Sequence, residues 1–460
     1  MSDDVDLLWR YAASVPPPTA DLLESTRSRL VEAIKTEPGT GRPGAPAPIR
    51  RLGLPAPRIL VGAVAAILLL GLALPLALLA AGGPRPSEAP TWRLTGYLTQ
   101  PGWRLQPTAG ASAYRLTCSS KRTCFASSPD PCSAAGATST GTNTCGPVSS
   151  AIDVSRDGGL TWTASLDPGG HIWMGAVSCS TEAVCRVLGF DDGQRRAFLF
   201  TTVDAGITWS SSPMPGPVYE AQAQLSCVAA SDCVVLADEP RAAGGIEGFS
   251  YVTTDGGQSW ASSPLPGTFR AYALQCLRGG LCIAGGQVPS SYRVTNLAAQ
   301  NRAAIFYSTD GGRTWKSAAG VPTGRGVGSV SCGDAAHCIA AEGTGQPAGH
   351  SVVIRTDDGG RHWRLTGSTP VTATLESVSC ATATRCWASG FQGSSHHDVA
   401  ATIISSTDGG QTWTSDPLPT LDGSPLRFVG AVTCPDVSGC LALAGRPHPT
   451  SRGDGIVLSN

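Results

Sequence analysis

The sequence carries little charge for its length. Asp, Glu, Lys and Arg make up 15 % of its 460 residues, and the formal net charge is −1. Proteins that bind nucleic acid normally carry a basic patch or stripe, so we expect no nucleic acid and no polyanionic partner. The 56 glycines and 35 prolines are instead typical of a chain with many short strands and turns.

Metal-binding patterns are missing as well. The sixteen cysteines form no C-x2-C pair, and no histidine recurs with them, whereas structural zinc sites usually show such spacings. His396, His397 and Asp398 lie together in a Gly/Ser-rich stretch, where solvated side chains are a simpler interpretation than a metal site. We therefore expect neither a metal nor a cofactor.

One apolar run interrupts the polar pattern. Residues 59–81 contain 23 apolar or small residues and no charge. At 1.5 Å rise per residue, such a helix is about 34 Å long, enough to cross a hydrocarbon core of roughly 30 Å. Because 58 residues precede it, the run predicts an uncleaved transmembrane helix rather than a signal peptide.

Arginines flank the run unevenly and predict its orientation. Cytoplasmic flanks of membrane helices are enriched in Lys and Arg, so the N-terminus is expected in the cytoplasm and the C-terminal part outside the cell membrane. The preceding arginines are Arg42, Arg50, Arg51 and Arg58, and the following ones are Arg85 and Arg93.

The cytoplasmic part has two sections. Residues 1–36 form a partly helical tail by their apolar spacing, and residues 37–58 form a Pro/Gly-rich linker. Two interpretations of the tail stay open, a docking helix for a cytoplasmic partner and a short amphipathic segment on the inner leaflet.

Residues 90–460 contain two alternating repeats with a period of 45–55 residues, which is typical of stacked structural units. The first repeat is a turn with the pattern [ST]-x-D-x-G-x-[ST]-W. It occurs six times, with aspartates Asp157, Asp204, Asp255, Asp310, Asp358 and Asp408 and tryptophans Trp162, Trp209, Trp260, Trp315, Trp363 and Trp413.

The second repeat is an aliphatic residue, any residue, then Cys-x5-Cys, and it occurs seven times. Outside the cell such cysteines are expected to form disulfides. Five intervening residues suit a hairpin with the two half-cystines opposite each other. The expected pairs are Cys118–Cys124, Cys179–Cys185, Cys227–Cys233, Cys276–Cys282, Cys332–Cys338, Cys380–Cys386 and Cys434–Cys440, with Cys132–Cys145 in an inserted loop of the first repeat.

The chain ends supply a seventh turn repeat. The last residues, GIVLSN, resemble a strand that enters such a turn, and APTWRL at 89–94 resembles the strand that leaves one. Joining them closes a ring and leaves few free strand edges. The sequence therefore predicts an all-β fold, a β-propeller of seven four-stranded blades with disulfides within the blades.

The turn pattern resembles the Asp box, or BNR repeat, of sialidases, sortilin-type receptors, xyloglucanases and the photosystem II assembly-factor propellers. One copy, Thr356–Trp363, departs from it because His362 occupies the Ser/Thr position. The resemblance covers residues 90–460 and implies boxes at the periphery of the propeller, away from any active site. Because Asp, Gly and Trp are all needed to hold one hairpin, the boxes are expected to be structural.

The resemblance does not extend to sialidase chemistry. Those enzymes usually carry a Phe/Tyr-Arg-Ile-Pro stretch before the first box, which is absent here. Their propellers resemble rings of six blades, whereas this sequence predicts seven. A site at the mouth of the central channel stays open. Weak catalytic candidates are Glu220, Glu376 and Tyr219, and ligand-binding candidates are Trp173, Arg270, Tyr272, Arg325 and Arg427.

These candidates have two interpretations. They could bind an anionic sugar or a peptide carboxylate, or they could be ordinary polar residues at loop–strand junctions. The expected function is binding or scaffolding of an external protein or glycan. The alternatives are a membrane-tethered glycoside hydrolase, sialidase-like or xyloglucanase-like, and a transmembrane signalling protein.

Overall fold

A computed structural model describes part of the chain, which divides after Gly83 into two units. The tail (1–36), the linker (37–58) and the predicted transmembrane helix (59–81) lie outside the described residues. Within the described part, no helix has the length and apolarity needed to span a membrane. The described residues are 92–98, 115–127, 151–169, 172–191, 196–216, 219–240, 246–267, 269–288, 302–322, 326–342, 351–367, 369, 373–393, 399–445 and 455–460.

Strands dominate these residues, beginning with β1 (Arg93–Leu98). The first three blades are four-stranded antiparallel sheets whose strands follow one another along the chain. Blade 1 has β2 (Arg115–Cys118), β3 (Cys124–Ser127), β4 (Ile152–Ser155) and β5 (Thr163–Leu166). Blade 2 has β6 (Ile172–Cys179), β7 (Cys185–Asp191), β8 (Arg196–Thr202) and β9 (Ser210–Pro213). Blade 3 has β10 (Tyr219–Cys227), β11 (Cys233–Pro240), β12 (Ile246–Thr253) and β13 (Ala261–Pro264).

Blades 4 to 6 repeat this order. Blade 4 has β14 (Arg270–Cys276), β15 (Cys282–Val288), β16 (Arg302–Ser308) and β17 (Lys316–Ser317). Blade 5 has β18 (Val327–Cys332), β19 (Cys338–Glu342), β20 (Val352–Thr356) and β21 (Arg364–Leu365). Blade 6 has β22 (Ala373–Cys380), β23 (Cys386–Gln392), β24 (Ala400–Ser406) and β25 (Thr414–Ser415), and a small hairpin of β26 (Thr420–Leu421) and β27 (Ser424–Pro425) follows it.

Blade 7 is built from both ends of the propeller sequence. Its strands are β28 (Val429–Asp436), β29 (Gly439–Ala444) and β30 (Gly455–Ser459), and β1 pairs with β30 as the fourth strand. The register places Arg93 opposite Ser459 and Leu98 opposite Gly455. The prediction of seven four-stranded blades, with the last one shared by both ends, is confirmed.

Disulfides join the first two strands of every blade. In blades 1 to 6 the two cysteines are directly opposite each other in the antiparallel register. The Cα–Cα separations in the seven blades are 3.9–4.2 Å. Cys132 and Cys145 lie outside the described residues.

The hydrophobic core lies between neighbouring blades. Leu188 and Leu199 of blade 2 pack with Leu225 and Val235 of blade 3, and the other blade interfaces show the same type of contact. Because each sheet is covered on both faces by its neighbours, its strands carry long buried runs rather than strict alternation, as in Cys185–Phe190. This packing holds the first strands of all seven blades around a central channel.

Candidate functional site

The Asp-box turns are closed hydrogen-bond systems. In blade 1, the Ser155 hydroxyl donates to Asp157 Oδ1 at 2.8 Å and accepts from the Gly159 N–H at 2.8 Å. The N–H of Thr161 donates to Asp157 Oδ1 at 2.9 Å, and its hydroxyl donates to Oδ2 at 2.5 Å. The Trp162 indole N–H then donates to the Gly159 carbonyl at 3.0 Å. All polar groups of the motif are therefore satisfied within the turn.

The other boxes keep the hydroxyl and carboxylate bonds of this pattern, whereas the indole nitrogens of Trp260 and Trp413 have no hydrogen-bond partner among the described residues. The hydroxyl and the N–H of Thr208 donate to Asp204 and lower the pKa of this carboxyl to about 2. In the divergent box, His362 replaces the hydroxyl, and its Nδ1 lies 2.6 Å from Asp358 Oδ2. An ionised carboxylate saturated by hydrogen bonds is a poor base and has no free position for a ligand. The box carboxylates are thus engaged in hydrogen bonds within their own turns.

The glycine of each box also packs on the preceding blade. Gly360 of blade 5 has φ +83°, and a Cβ added there would lie 2.2 Å from Ile283 Cδ1 of blade 4. Gly159 of blade 1 approaches Leu441 of blade 7 in the same way, at 2.4 Å. The positive φ favours glycine at this position, and the close approach leaves little room for a Cβ.

The channel wall is held by side chains that bridge consecutive blades. The residue before the first cysteine accepts a hydrogen bond from the N–H of the first cysteine in the next blade. These bonds are Cys227 to Ser178, Cys276 to Ser226, Cys332 to Gln275, Cys380 to Ser331 and Cys434 to Ser379, at 2.6–2.9 Å. The sequence signal was present as the Ser, Thr or Gln before each first cysteine, but its inter-blade role was not predicted.

A second set of bridges lies two residues earlier in the same strands. The N–H of Val378 donates to the Ser329 hydroxyl at 3.0 Å, and the N–H of Val432 donates to the Ser377 hydroxyl at 3.2 Å. These two serines also line the channel. Much of the polar wall is therefore occupied in holding the ring together.

Inside this wall lies a cavity of about 180 Å³, lined by the first strands of all seven blades. Among the lining residues two are charged, Arg115 of blade 1 and Glu376 of blade 6. Blades 1 and 6 are separated by blade 7, and neither side chain has a charged partner among the described residues. The cavity thus presents one cationic and one acidic group that are both free to meet a ligand.

Glu376 occupies a special backbone position. It is the bulged residue of β22, where the register shifts between Leu375 and Ser377. The corresponding bulged residue, four positions before the first cysteine, is Tyr272 in β14, Gly328 in β18 and Gly430 in β28. Bulges redirect a side chain and commonly occur at functional sites.

Burial in the cavity changes the pKa of both charged groups. It raises the pKa of Glu376 to about 7 and lowers the pKa of Arg115 from its usual value. Both shifts disfavour the charged form, since neither group has a compensating partner within the described residues. A ligand that supplies a partner would reverse them.

Four other predicted site residues lie in the described part of the chain but do not line this cavity. Trp173 is partly buried and packs in the apolar cluster between blades 2 and 3. Arg270 forms an ion pair with Asp238, with Nε 3.3 Å from Oδ2. Tyr272 is partly buried and has an interaction partner of its own, and the Arg427 N–H donates to the Gly445 carbonyl.

Several predicted residues cannot be placed. Tyr219 and Glu220 begin β10, but their side chains are not described. Arg325, His396, His397 and Asp398 lie outside the described residues. Arg115 was not predicted, although its place three residues before Cys118 corresponds to that of Ser377 before Cys380.

The comparisons with known proteins concern the turn and the fold. The family model described as "BNR/Asp-box repeat" matches residues 306–317, which include the whole fourth box. No curated protein sequence matches the chain. The match identifies the repeated turn as an Asp box.

Three solved structures are similar to this chain. "YCF48 bound to D1 peptide" is 15% identical, with 79% of this chain and 97% of that chain covered and a TM-score of 0.45. A GH74 enzyme from Niastella koreensis is 12% identical, with 78% of this chain covered, 55% of that enzyme's length spanned and a TM-score of 0.46. The Hadza microbial sialidase Hz136 is 14% identical, with coverages of 68% and 73% and a TM-score of 0.40.

Proposed function

We propose that this chain is a membrane-anchored, extracytoplasmic propeller that binds or scaffolds a protein or glycan, with the central channel as its binding site. The observation that carries the proposal is the pair of unpartnered charges, Arg115 and Glu376, in one cavity of about 180 Å³. Buried polar groups are normally paired within the protein. Two opposite charges held apart in a rigid wall are therefore best explained as contacts for a ligand.

The chemistry of the cavity limits what enters it. A group with hydrogen-bond donors, such as an amine, a guanidinium or a sugar hydroxyl, would pair with Glu376. An acceptor, such as a carboxylate or a carbonyl, would pair with Arg115. The cavity is small, so it receives one polar side chain, a chain terminus or a single sugar unit of a larger ligand, and the surrounding loops contact the rest.

The membrane anchor is part of the same proposal. It is supported by the uncharged run at 59–81, by the arginines that precede it and by the disulfides, which persist in oxidising compartments. The anchor would hold the propeller outside the cell and raise its local concentration near membrane-bound ligands. Resistance of the full chain to alkaline extraction from membranes, with protease access to the propeller from outside, would test this part.

One observation favours a second candidate, a glycoside hydrolase. The pKa of Glu376, raised by burial to about 7, is suitable for a general acid at neutral pH. Hydrolysis of a glycosidic bond usually needs a second carboxylate about 5–10 Å away. Among the residues that line the described cavity, Glu376 is the single carboxylate, so this candidate depends on Glu220, whose side chain is not described.

Binding to arrays of peptides and glycans tests the proposal. The full chain, purified with its disulfides in lipid nanodiscs, would be compared with Glu376→Gln and Arg115→Gln. Lys316→Gln is the control, since Lys316 is exposed on the outermost strand of blade 4. We expect a discrete set of bound ligands whose signals fall about tenfold or more in the channel variants, because a charged hydrogen bond contributes roughly 1.5–3 kcal/mol.

Two outcomes would count against a channel site. If the channel variants bind as the wild type does, the ligand contacts another surface. If the control variant loses binding to the same extent, the effect does not come from the channel.

A further inference from the structure

The tips of the Asp-box turns differ in polarity around the ring. We define the tip residue as the one three positions after the box aspartate. It is polar or charged in blades 3 to 6 and aliphatic in blades 1 and 2. The tip residues in blade order are Leu160, Ile207, Gln258, Arg313, Arg361 and Gln411.

The aliphatic tips are openly exposed. Leu160 is 58% exposed, and Ile207 is 71% exposed. Val203, just before the box aspartate of blade 2, is 68% exposed, and threonine takes this place in blades 3, 4 and 6. Leu160, Val203 and Ile207 together are called the tip patch below. The fold does not require apolar side chains there, since the other four boxes form with polar ones.

The two turns of the tip patch are neighbours. The Arg156 guanidinium of the blade 1 box donates to the Ala205 carbonyl of the blade 2 box at 2.8 Å. The Ser165 hydroxyl of blade 1 donates to the Gly206 carbonyl at 2.6 Å. The exposed aliphatic side chains therefore belong to one region of the surface.

The chain enters the propeller beside this region. Strand β1 begins at Arg93 opposite Ser459, at the end of blade 7 where the other blades carry their boxes. Gly96 of β1 lies against the blade 1 box, so closely that an added Cβ would be 2.7 Å from the Leu160 carbonyl oxygen. Ten residues, 82–91, separate the apolar run from Trp92, a reach of about 35 Å when fully extended.

Basic side chains border the tip patch. Arg122 and Lys121 lie in the hairpin of blade 1, where the Gly158 N–H of the box donates to the Arg122 carbonyl. Lys121 Nζ is 3.7 Å from Asp436 Oδ1, an exposed pair. The nearby acid Glu182 accepts hydrogen bonds from the hydroxyls of Ser120 and Thr123. The acids around the patch thus have polar partners, whereas Arg122 and Arg156 carry no ion pair within the described residues.

We propose that the tip patch is a bilayer-contact surface that lays the box side of blades 1 and 2 on the outer leaflet of the membrane. Exposed aliphatic side chains beside Lys and Arg are the combination that binds a lipid interface. The anchor makes the contact intramolecular, so a small apolar area is sufficient. The proposal rests on the membrane anchoring proposed above.

Site-specific photo-cross-linking tests it in the full chain. Benzoylphenylalanine replaces Ile207 in one variant and Arg361, the tip residue of blade 5, in the matched control. Both proteins are reconstituted into phosphatidylcholine vesicles that contain phosphatidylglycerol as the minority lipid, floated on a density gradient and irradiated. We expect lipid adducts at position 207 to exceed those at position 361 several-fold.

The outcomes separate this inference from the anchoring. If the chain does not float with the vesicles, the anchoring and the tip-patch contact both fail. If it floats and the two positions give equal lipid adducts, the anchoring stands and the tip-patch contact fails. Adducts at position 207 to a second copy of the chain, in place of lipid, would assign the patch to self-association and overturn the bilayer contact.

Discussion

At the scale of single residues, the departures from the repeat are the most informative positions. Glu342 ends β19 at a place where five of the other six blades have glycine or alanine, such as Gly189, Gly390 and Ala444. It is 9% exposed, and its Oε1 has no hydrogen-bond partner among the described residues. Burial raises the pKa of this carboxyl to about 7.

This pKa shift predicts how stability depends on pH. At about pH 4, Glu342 is mostly protonated in both states. Between about pH 4.5 and 7 the unfolded chain ionises first, so the folded state loses stability, on the order of 3 kcal/mol by pH 8. Glu342→Gln stays neutral and should therefore be more stable than the wild type at pH 8 but not at pH 4. Chemical denaturation at both pH values measures the free energies of unfolding. The same difference between variant and wild type at pH 4 and pH 8 would contradict the prediction.

Arg186 is a second departure. The residue after the second cysteine is apolar in the other six blades: Phe125, Val234, Ile283, Ile339, Trp387 and Leu441. Arg186 is buried, and its Nη2 donates to the Ala230 carbonyl. Its Nε and Nη1 have no hydrogen-bond partner among the described residues.

Replacing Arg186 by an apolar residue of similar volume should stabilise the protein. Arg186→Leu removes a buried, incompletely paired charge and should raise the free energy of unfolding by about 1–3 kcal/mol. Arg186→Ala is the control, because it also removes the charge but leaves a cavity. In thermal unfolding, a lower melting temperature for Arg186→Leu than for the wild type would contradict this explanation.

At the scale of structural elements, two further contacts help to hold the ring. The first is the closure of blade 7. Its fourth strand, β1, is not preceded in the chain by an Asp box, unlike the fourth strands of the other blades. The Trp92 indole N–H donates to Asp416 Oδ2 of blade 6 at 3.0 Å, and the Ser405 hydroxyl donates to Oδ1 at 2.6 Å. Trp92 therefore takes the place of a box tryptophan but uses a carboxylate of the preceding blade in place of a glycine carbonyl.

Removing this indole donor should weaken the closure. Trp92→Phe keeps an aromatic ring but leaves a buried carboxylate oxygen without its partner, at a cost of about 1–3 kcal/mol. Trp260→Phe is the matched control, since the Trp260 indole nitrogen has no hydrogen-bond partner within the described residues. Equal losses of thermal stability in the two variants would show that the Trp92 hydrogen bond does not secure the ring.

The second contact is the packing of each box against the preceding blade. Gly360→Ala would force a Cβ against Ile283 and should destabilise by about 2 kcal/mol or more. Gly423 has a similar φ, +76°, but a Cβ there meets nothing within 4 Å. Gly423→Ala therefore carries only the backbone strain. The difference between the stability losses of the two variants in chemical denaturation measures the contribution of the blade contact. Equal losses would contradict a role for this contact.

At the scale of the whole molecule, the periodic signals predicted the architecture well. The turn pattern recurs in blades 1 to 6 and the cysteine pairs in all seven, and the fragments GIVLSN and APTWRL predicted the shared blade 7. These features depend on short-range spacing, which a sequence displays directly.

The site was harder to predict because it depends on contacts between blades. Glu376 was selected, but the hydroxyl bridges and the bulge that define its surroundings are not visible in one repeat. Arg115 was missed because it lines the same cavity as Glu376 only in the closed ring, whereas the two residues are 261 positions apart in sequence. Arg270 was selected as a ligand contact, whereas it is paired with Asp238 across blades 3 and 4.

The central claim is that the channel binds a ligand and does not hydrolyse it. The most direct test is turnover of a broad panel of chromogenic glycosides, sialosides included, by the full chain with intact disulfides, beside Glu220→Gln and Glu376→Gln. Our account predicts no turnover by any of the three proteins. Turnover by the wild type that is lost in Glu376→Gln would contradict it and make the channel an active site.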